Sequence, residues 1–285
     1  MKKNIITTIA LAAITAMACT DDHINTARTP IEIGGITVVA TAAQQQTRAD
    51  QPANLFFKEA DQITVTATGT PAYTAPYTYA AATNTWTPAA TPIYLEDVYA
   101  NQAPTHTFNI DFGQPQANQT TEALLHQADR VEGPATLNVD VRPPTLTAQK
   151  LSRRHTLVEV TIVQGIDWAN EAAFLASLAA YNCTFISKSG EDITPYRPGT
   201  TTFKVIVPPS ELPEDNDVLF ILTKQGDKDL ICRINYGQGV VPTAGTRLTV
   251  EVKMNNHNGG NLEAPTFTIA DWQIGDEGKT LPGEV

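Results

Sequence analysis

Nucleophilic, acid–base or metal chemistry in this chain would fall to five histidines, five serines and three cysteines among 285 residues. Serine hydrolysis usually presents its nucleophile on a strained G-x-S-x-G turn, and none is written here. No H-E-x-x-H places two imidazoles on one helix face for zinc, and there is no phosphate-cradling P-loop or G-x-G-x-x-G. His23, His106, His126, His155 and His257 lie far apart, and none falls within four residues of another. They read as surface or hydrogen-bonded histidines rather than as bases or ligands. Glu214-Asp215-Asn216-Asp217 is rich in oxygen but lacks the spacing and glycine of a calcium loop, so it reads as a solvated turn. The paired carboxylates of a glycosidase pair in space rather than along the chain, and nothing in the sequence points to them. The expectation is a protein that is not an enzyme and needs no cofactor.

One residue does carry chemistry. Lys2 and Lys3 precede an apolar run of 13 residues, Ile5 to Met17. A spanning helix needs roughly 20, so the run reads as a signal-peptide core. Ala16-Met17-Ala18-Cys19 then resembles the lipobox of bacterial lipoproteins, with Ala16 where Leu is more usual. The resemblance implies cleavage before Cys19 and fatty acyl groups such as palmitate on its thiol and amine. Each buried CH₂ would add about 0.8 kcal/mol, so several chains anchor firmly. The acids Asp21 and Asp22 follow, as in surface-exported lipoproteins of Bacteroidetes; a solvated linker carries such a pair equally well.

The elements that must position anything else are strands. Threonine occurs 40 times, and its branched side chain suits a pleated surface. The formal charge is −11, which disfavours nucleic acid as a partner because phosphate contacts need a basic face. Thr20 to Pro30 is a polar tether. Ile31 to Ala43 is a strand candidate broken by Gly34-Gly35, with Ile36, Val38 and Ala40 on one face at period 2. Gln44 to Ala53 has no bulky apolar residue and reads as an exposed, protease-accessible loop. Short runs follow at 62–68, 73–79, 84–87, 92–98 and 106–112, divided by Pro, Gly and Asn in the rhythm of a sandwich or barrel. Residues 120–129 have the composition of one or two helical turns.

After the alternating run 135–141, Arg142-Pro143-Pro144 interrupts, which suggests a crossing between domains. Six further strands are expected, at 157–163, 201–207, 218–223, 230–236, 247–254 and 265–274. Between the first two lies one helix, with Asp167 as N-cap and Trp168, Ala172, Leu175 and Ala179 on one face. The expected organisation is a signal peptide over 1–18, a tether over 19–30 and two β-sandwich domains over 31–145 and 146–285. Cys183 and Cys232 fall on strands; outside the cytoplasm a disulfide between them and two separate buried thiols are both open. Tyr73, Tyr77, Tyr79, Tyr94, Tyr99 and Trp86 crowd the first half, which fits core packing better than a sugar platform.

Several segments, in order, resemble the fimbrillin family of Bacteroidetes, the subunits of type V pili. They are the Cys19 lipobox, Arg48 in its loop, and Phe56-Phe57-Lys58-Glu59-Ala60-Asp61-Gln62-Ile63-Thr64-Val65. Trp86-Thr87-Pro88 then precedes Ile93-Tyr94, and Arg154-His155 precedes Leu157-Val158-Glu159-Val160. Val205-Ile206-Val207-Pro208-Pro209, Ala244-Gly245-Thr246 and Ile269-Ala270-Asp271-Trp272 complete the series.

The resemblance implies an all-β chain of two transthyretin-like Greek-key sandwiches, with one short helix in the second. It implies an outer-membrane lipoprotein that matures into a cell-surface fimbrium used in adhesion to a host or bacterial surface ligand. A trypsin-like protease would cut after Arg48, releasing the anchor and the first strand. The groove left by Ile36, Val38 and Ala40 would then accept a strand from another fimbrial subunit. A cut at Arg28, before the strand, would free the anchor without opening the groove. The other function class is a surface glycan-binding lipoprotein of a nutrient-uptake system, which would have no use for a removable strand. The tail 275–285 is charged and Gly-rich, a poor donor strand. Either 265–274 swings out, or the subunit only receives.

Overall fold

Alternation of apolar and polar residues decides most of the strands, and threonine fills the outward positions. A computed structural model of the chain describes residues 28–39, 51–52, 56–236, 242–256 and 260–272. Strand β1 is Glu32–Val39, β2 is Gln51–Pro52 and β3 is Gln62–Thr68. In β3, Ile63, Val65 and Ala67 point inward while Gln62, Thr64 and Thr68 stay exposed. Next come β4 (Tyr73–Ala80) and β5 (Thr85–Pro88), a single helical turn α1 (Leu95–Val98), and the small hairpin of β6 (Tyr99–Ala100) and β7 (Ala103–Pro104). The turn α1 stands where the sequence suggested a strand over 92–98. Its first-turn acids, Glu96 and Asp97, are held by residues of the N-terminal segment described below.

Strand β8 (Thr107–Phe112) leads to helix α2 (Glu122–Ala128), in the segment read as one or two helical turns. Thr121 caps α2, its hydroxyl accepting the Leu124 N–H at 3.2 Å. Strands β9 (Val131–Asn138) and β10 (Thr145–Arg153) complete one eight-stranded sheet in the order β2-β1-β10-β9-β8-β3-β4-β5. The sheet curls until β1 lies against β5, so one sheet supplies both walls of the core.

This pairing moves the division between the two halves. Arg142-Pro143-Pro144 lies in the turn joining β9 to β10, where its missing N–H groups cost no ladder bond. The expected division at 145/146 therefore cuts into β10, which pairs with β1 from Thr145 to Ser152 and with β9 at both of its ends. The chain leaves the first sheet where β10 ends at Arg153, and Arg154-His155 link it to the next strand.

The second half is built from β11 (Thr156–Gln164), helix α3 (Glu171–Ala179), β12 (Asn182–Ile186), β13 (Asp192–Ile193) and β14 (Thr202–Val207). It continues with β15 (Val218–Thr223), β16 (Leu230–Arg233), β17 (Thr246–Asn255), β18 (Asn261–Leu262) and β19 (Thr266–Asp271). A five-stranded sheet with β17 at its centre and a four-stranded sheet β13-β12-β15-β16 share one core. The cap of α3 is Asn170, which accepts the Ala173 N–H at 2.9 Å, rather than Asp167. Asp167 has φ +65°, so the chain is still turning there. The helix buries Phe174 and Leu178, with Trp168 and Leu175 at the flank and Ala172 exposed. Among the described residues no helix is long and apolar enough to cross a membrane.

Every residue of β14 is buried, and α2 of the first half packs against it at Ile206. Leu125 and Ala128 of α2 join Leu157, Ile206 and Trp272 in a small core between the halves. Gln119 seals its rim: its side chain donates to the Ile206 carbonyl (2.8 Å) and accepts the Ile206 N–H (2.7 Å).

Candidate functional site: the groove that holds the first strand

Among the described residues, β1 has a neighbour along most of its length on one side only. It runs parallel to β10, with Glu32 opposite Thr145 and Val39 opposite Ser152. On its other side the described residues of β2 pair with it at Thr37 and Val38. Ile33, Ile36 and Val38 are buried, and so is Ile31 just before the strand. Ile31 and Ile33 occupy odd positions, Ile36 and Val38 even ones, yet all four join one core. The phase changes because three residues of β1, from Ile33 to Ile36, span two of β10, from Leu146 to Ala148. Gly34 lies in this bulge, where a Cβ would be 3.2 Å from Thr147 Oγ1 and 3.3 Å from the Leu146 carbonyl oxygen, so a side chain would need these neighbours to give by a few tenths of an ångström.

The four side chains belong to a cluster that includes Tyr77, Trp86, Ile93, Leu146, Ala148 and Leu151. At about 1.5–3 kcal/mol for each, their burial favours the seated strand by roughly 6–12 kcal/mol before ordering costs. Losing the strand would expose that apolar wall and the free ladder groups of β10.

The N-terminal end of the strand is clamped to α1. Leu95 donates its N–H to the Thr29 carbonyl (2.9 Å), and Ile31 donates to the Ile93 carbonyl (3.0 Å). The Arg28 guanidinium pairs with Asp97 and lies 4.0 Å from the centre of the Tyr94 ring. Thr29 N–H meets both Glu96 carboxylate oxygens, at 3.0 and 3.2 Å. Burial works to raise the Glu96 carboxyl, but backbone donors and the Arg28 charge together bring it below its ordinary value. Further in, Glu32 N–H reaches the Pro144 carbonyl (2.9 Å) and the Tyr77 hydroxyl donates to the Ile31 carbonyl (3.0 Å).

Of the residues singled out in the sequence, Ile36 and Val38 lie in β1 with their side chains buried. Cys19, Ala40 and Arg48 lie outside the described residues. Sequence reasoning missed Ile31 and Ile33, whose phase disagrees with Ile36 until the bulge is known. Cys183 and Cys232 are both buried and free. They sit on β12 and β16, with β15 between them. Two strand spacings amount to about 9.6 Å, too far for a disulfide. Tyr77, Tyr79 and Trp86 pack in the core, with the Tyr79 and Trp86 rings 4.8 Å apart, and Tyr94 is covered by Arg28. His106, His126 and His155 are each engaged locally, by Pro71 O (2.7 Å), Asp61 (2.7 Å) and Ala128 O (2.7 Å).

The all-β fold of this chain has a solved counterpart. The fold is that of a putative cell adhesion protein from Bacteroides uniformis. The two chains are 13% identical, with a TM-score of 0.51 over 84% of this chain and 97% of that one. A fimbrial protein from Bacteroides ovatus aligns with 82% of this chain at 14% identity and a TM-score of 0.43. This chain spans 50% of that protein's length. The tip fimbrial protein Mfa3 from Porphyromonas gingivalis, with its C-terminus truncated, aligns with 77% of this chain and 97% of its own, at 10% identity and a TM-score of 0.42. No protein-family model matches the sequence, and no curated protein matches it.

Proposed function

We propose that this chain is a fimbrillin-type subunit of a surface fimbria, assembled by exchange of its first strand and used in adhesion. The observation that carries the proposal is the placement of β1. With Ile31 just before it, the strand supplies four buried side chains to the first core; among the described residues it has a continuous neighbour on one side only, and it leads into the segment that holds Arg48. In this reading Cys19 is lipidated and tethers the precursor at the outer membrane. Cleavage after Arg48 by a trypsin-like protease leaves β1 held without a covalent bond on that side. A strand from a second subunit then satisfies β10 and fills the groove.

Arg28 is a poor alternative cut site. The residues that follow it are bonded to Ile93, Leu95 and Glu96, and proteases need locally unfolded chain. The test is limited trypsin digestion followed by N-terminal sequencing, together with an Arg48→Ala variant. The expected stable product begins at Ala49, and Arg48→Ala abolishes both the product and incorporation into filaments. Normal assembly of Arg48→Ala protein would overturn the mechanism. Loss of lipid labelling in Cys19→Ala checks the anchor separately.

A further inference from the structure

A polar cleft of about 380 Å³ opens on the outer face of the first sheet, away from the β1 groove. Three separate segments line it. Gln62 and Thr64 stand at outward positions of β3, and Asp111 at an outward position of β8. Gln114 and Gln116 follow β8, and Gln127 comes from the last turn of α2.

The convergence is built by one glycine. At Gly113, φ is +76° and a Cβ would lie 2.6 Å from the Asp129 carbonyl oxygen, so the chain turns there as other residues cannot. Gln114 N–H then bonds the Gln127 carbonyl at 3.0 Å, which sets the two glutamines side by side. The Gln116 amide reaches Gln127 Oε1 at a long 3.3 Å. The Gln114 amide, Gln116 Oε1 and Gln127 Nε2 have no bond among the described residues, which leaves donors and acceptors in both senses facing the space.

Charge narrows the ligand class. Asp111 is held by Arg130 at 2.6 Å, and Asp61 on the floor receives the Lys58 N–H and His126 Nε2, both at 2.7 Å. Among the described residues no lysine or arginine lines the cleft, so they offer nothing to a phosphate or sulfate. Paired amides and a hydroxyl match the alternating donors and acceptors of sugar hydroxyls. The one aromatic on the wall, Phe112, is 4% exposed and offers no stacking face, so binding should be weak. The volume lies at the small end of ligand sites, about 300–1,000 Å³.

We propose that this cleft binds a short neutral glycan through Gln62, Gln114, Gln116 and Gln127. The proposal is independent of strand exchange. It is tested on the purified full chain by saturation-transfer NMR and titration with lactose, maltose and chitobiose, with sialyllactose as the charged control. The expected result is saturable binding of at least one neutral disaccharide below about 10 mM, weakened about fivefold or more by Gln116→Ala/Gln127→Ala. Gln114→Ala serves as a second variant. All three glutamines are outside the cores, so melting temperature and the trypsin product should not change. No saturable binding of any of the three disaccharides would overturn the proposal. So would binding that both variants leave intact, or tighter binding of sialyllactose.

Discussion

The guanidinium of Arg153 lies 4.0 Å from the centre of the Trp272 ring, and its Nη1 donates to the Trp272 carbonyl oxygen at 3.1 Å. The same guanidinium pairs with Asp129 at 2.9 Å, both side chains fully withdrawn from solvent. Arg153 ends the first sheet and Trp272 follows β19, so one stacked contact joins the two halves. A swing of β19 out of its sheet would uncover the indole and leave the Arg153–Asp129 pair without its cover. Under the proposed strand exchange, this weighs against β19 as a donor strand.

Trp272→Ala should destabilise the protein by about 3–5 kcal/mol, the usual range for a buried tryptophan. Trp272→Phe should cost much less. It keeps a ring beneath Arg153 and removes an indole N–H that has no hydrogen-bond partner among the described residues. Urea unfolding of the two variants reads the difference. Equal losses would mean that the stacking on Arg153 contributes nothing.

The two strand cysteines should behave as inert thiols. Burial pushes both up to about 12, so neither is a thiolate near neutral pH. In Cys19→Ala protein a thiol reagent should find no reactive cysteine in the native state and two after denaturation. Two thiols appearing only after reduction would show a disulfide, contrary to their placement on either side of β15.

Burial pushes the His155 imidazole below its ordinary value of 6.5, and the Arg130 charge adds to this. The Ala128 carbonyl and Glu132 oppose the shift without cancelling it. Below 6.5 the unfolded chain takes up a proton that the folded chain refuses. The stabilising contribution is therefore full above 6.5 and is lost as pH falls from there toward the folded value. Between about pH 7.5 and 5.5, His155→Gln should lose less stability than the wild type, whatever its absolute stability. Parallel pH profiles would mean that His155 is protonated equally in both states.

Where apolar alternation was unbroken, the strands were legible. Ile63, Val65 and Ala67 face inward as their spacing requires, and Ile36 and Val38 do the same. Legibility failed where a bulge or a turn intervenes. Ile31 and Ile33 look out of phase because the extra residue at Gly34–Gly35 cannot be seen in one strand alone. Pro143 and Pro144 read as a domain break, since proline rarely continues a strand, yet a hairpin turn tolerates them equally well. Asp167 and Asn170 are both good caps by type, and only the backbone chooses between them. The glutamine cleft and the Arg153–Asp129–Trp272 contact join residues from distant segments, and no local spacing announces either.

The last prediction concerns how β1 leaves after a cut at Arg48. Its two ends are held differently. Toward the cut, the strand's outer neighbour is β2, paired at two positions among the described residues. At the other end, Thr29 and Ile31 are bonded to the segment around α1, and Arg28 is stacked on Tyr94. Displacement should therefore begin at Val39 and run back toward Ile31. Ile36→Ala would remove about 2–5 kcal/mol from the seated strand, raising its release rate by up to roughly one and a half to three and a half orders of magnitude. Asp97→Asn should change it little, because the exposed Arg28 pair contributes only about 0–1 kcal/mol. The measurement is release of a fluorophore on the N-terminal side of the cut strand, in excess peptide copying residues 31–39. If Ile36→Ala strands leave no faster than wild type while Asp97→Asn strands do, release begins at the clamp and the assigned direction is wrong.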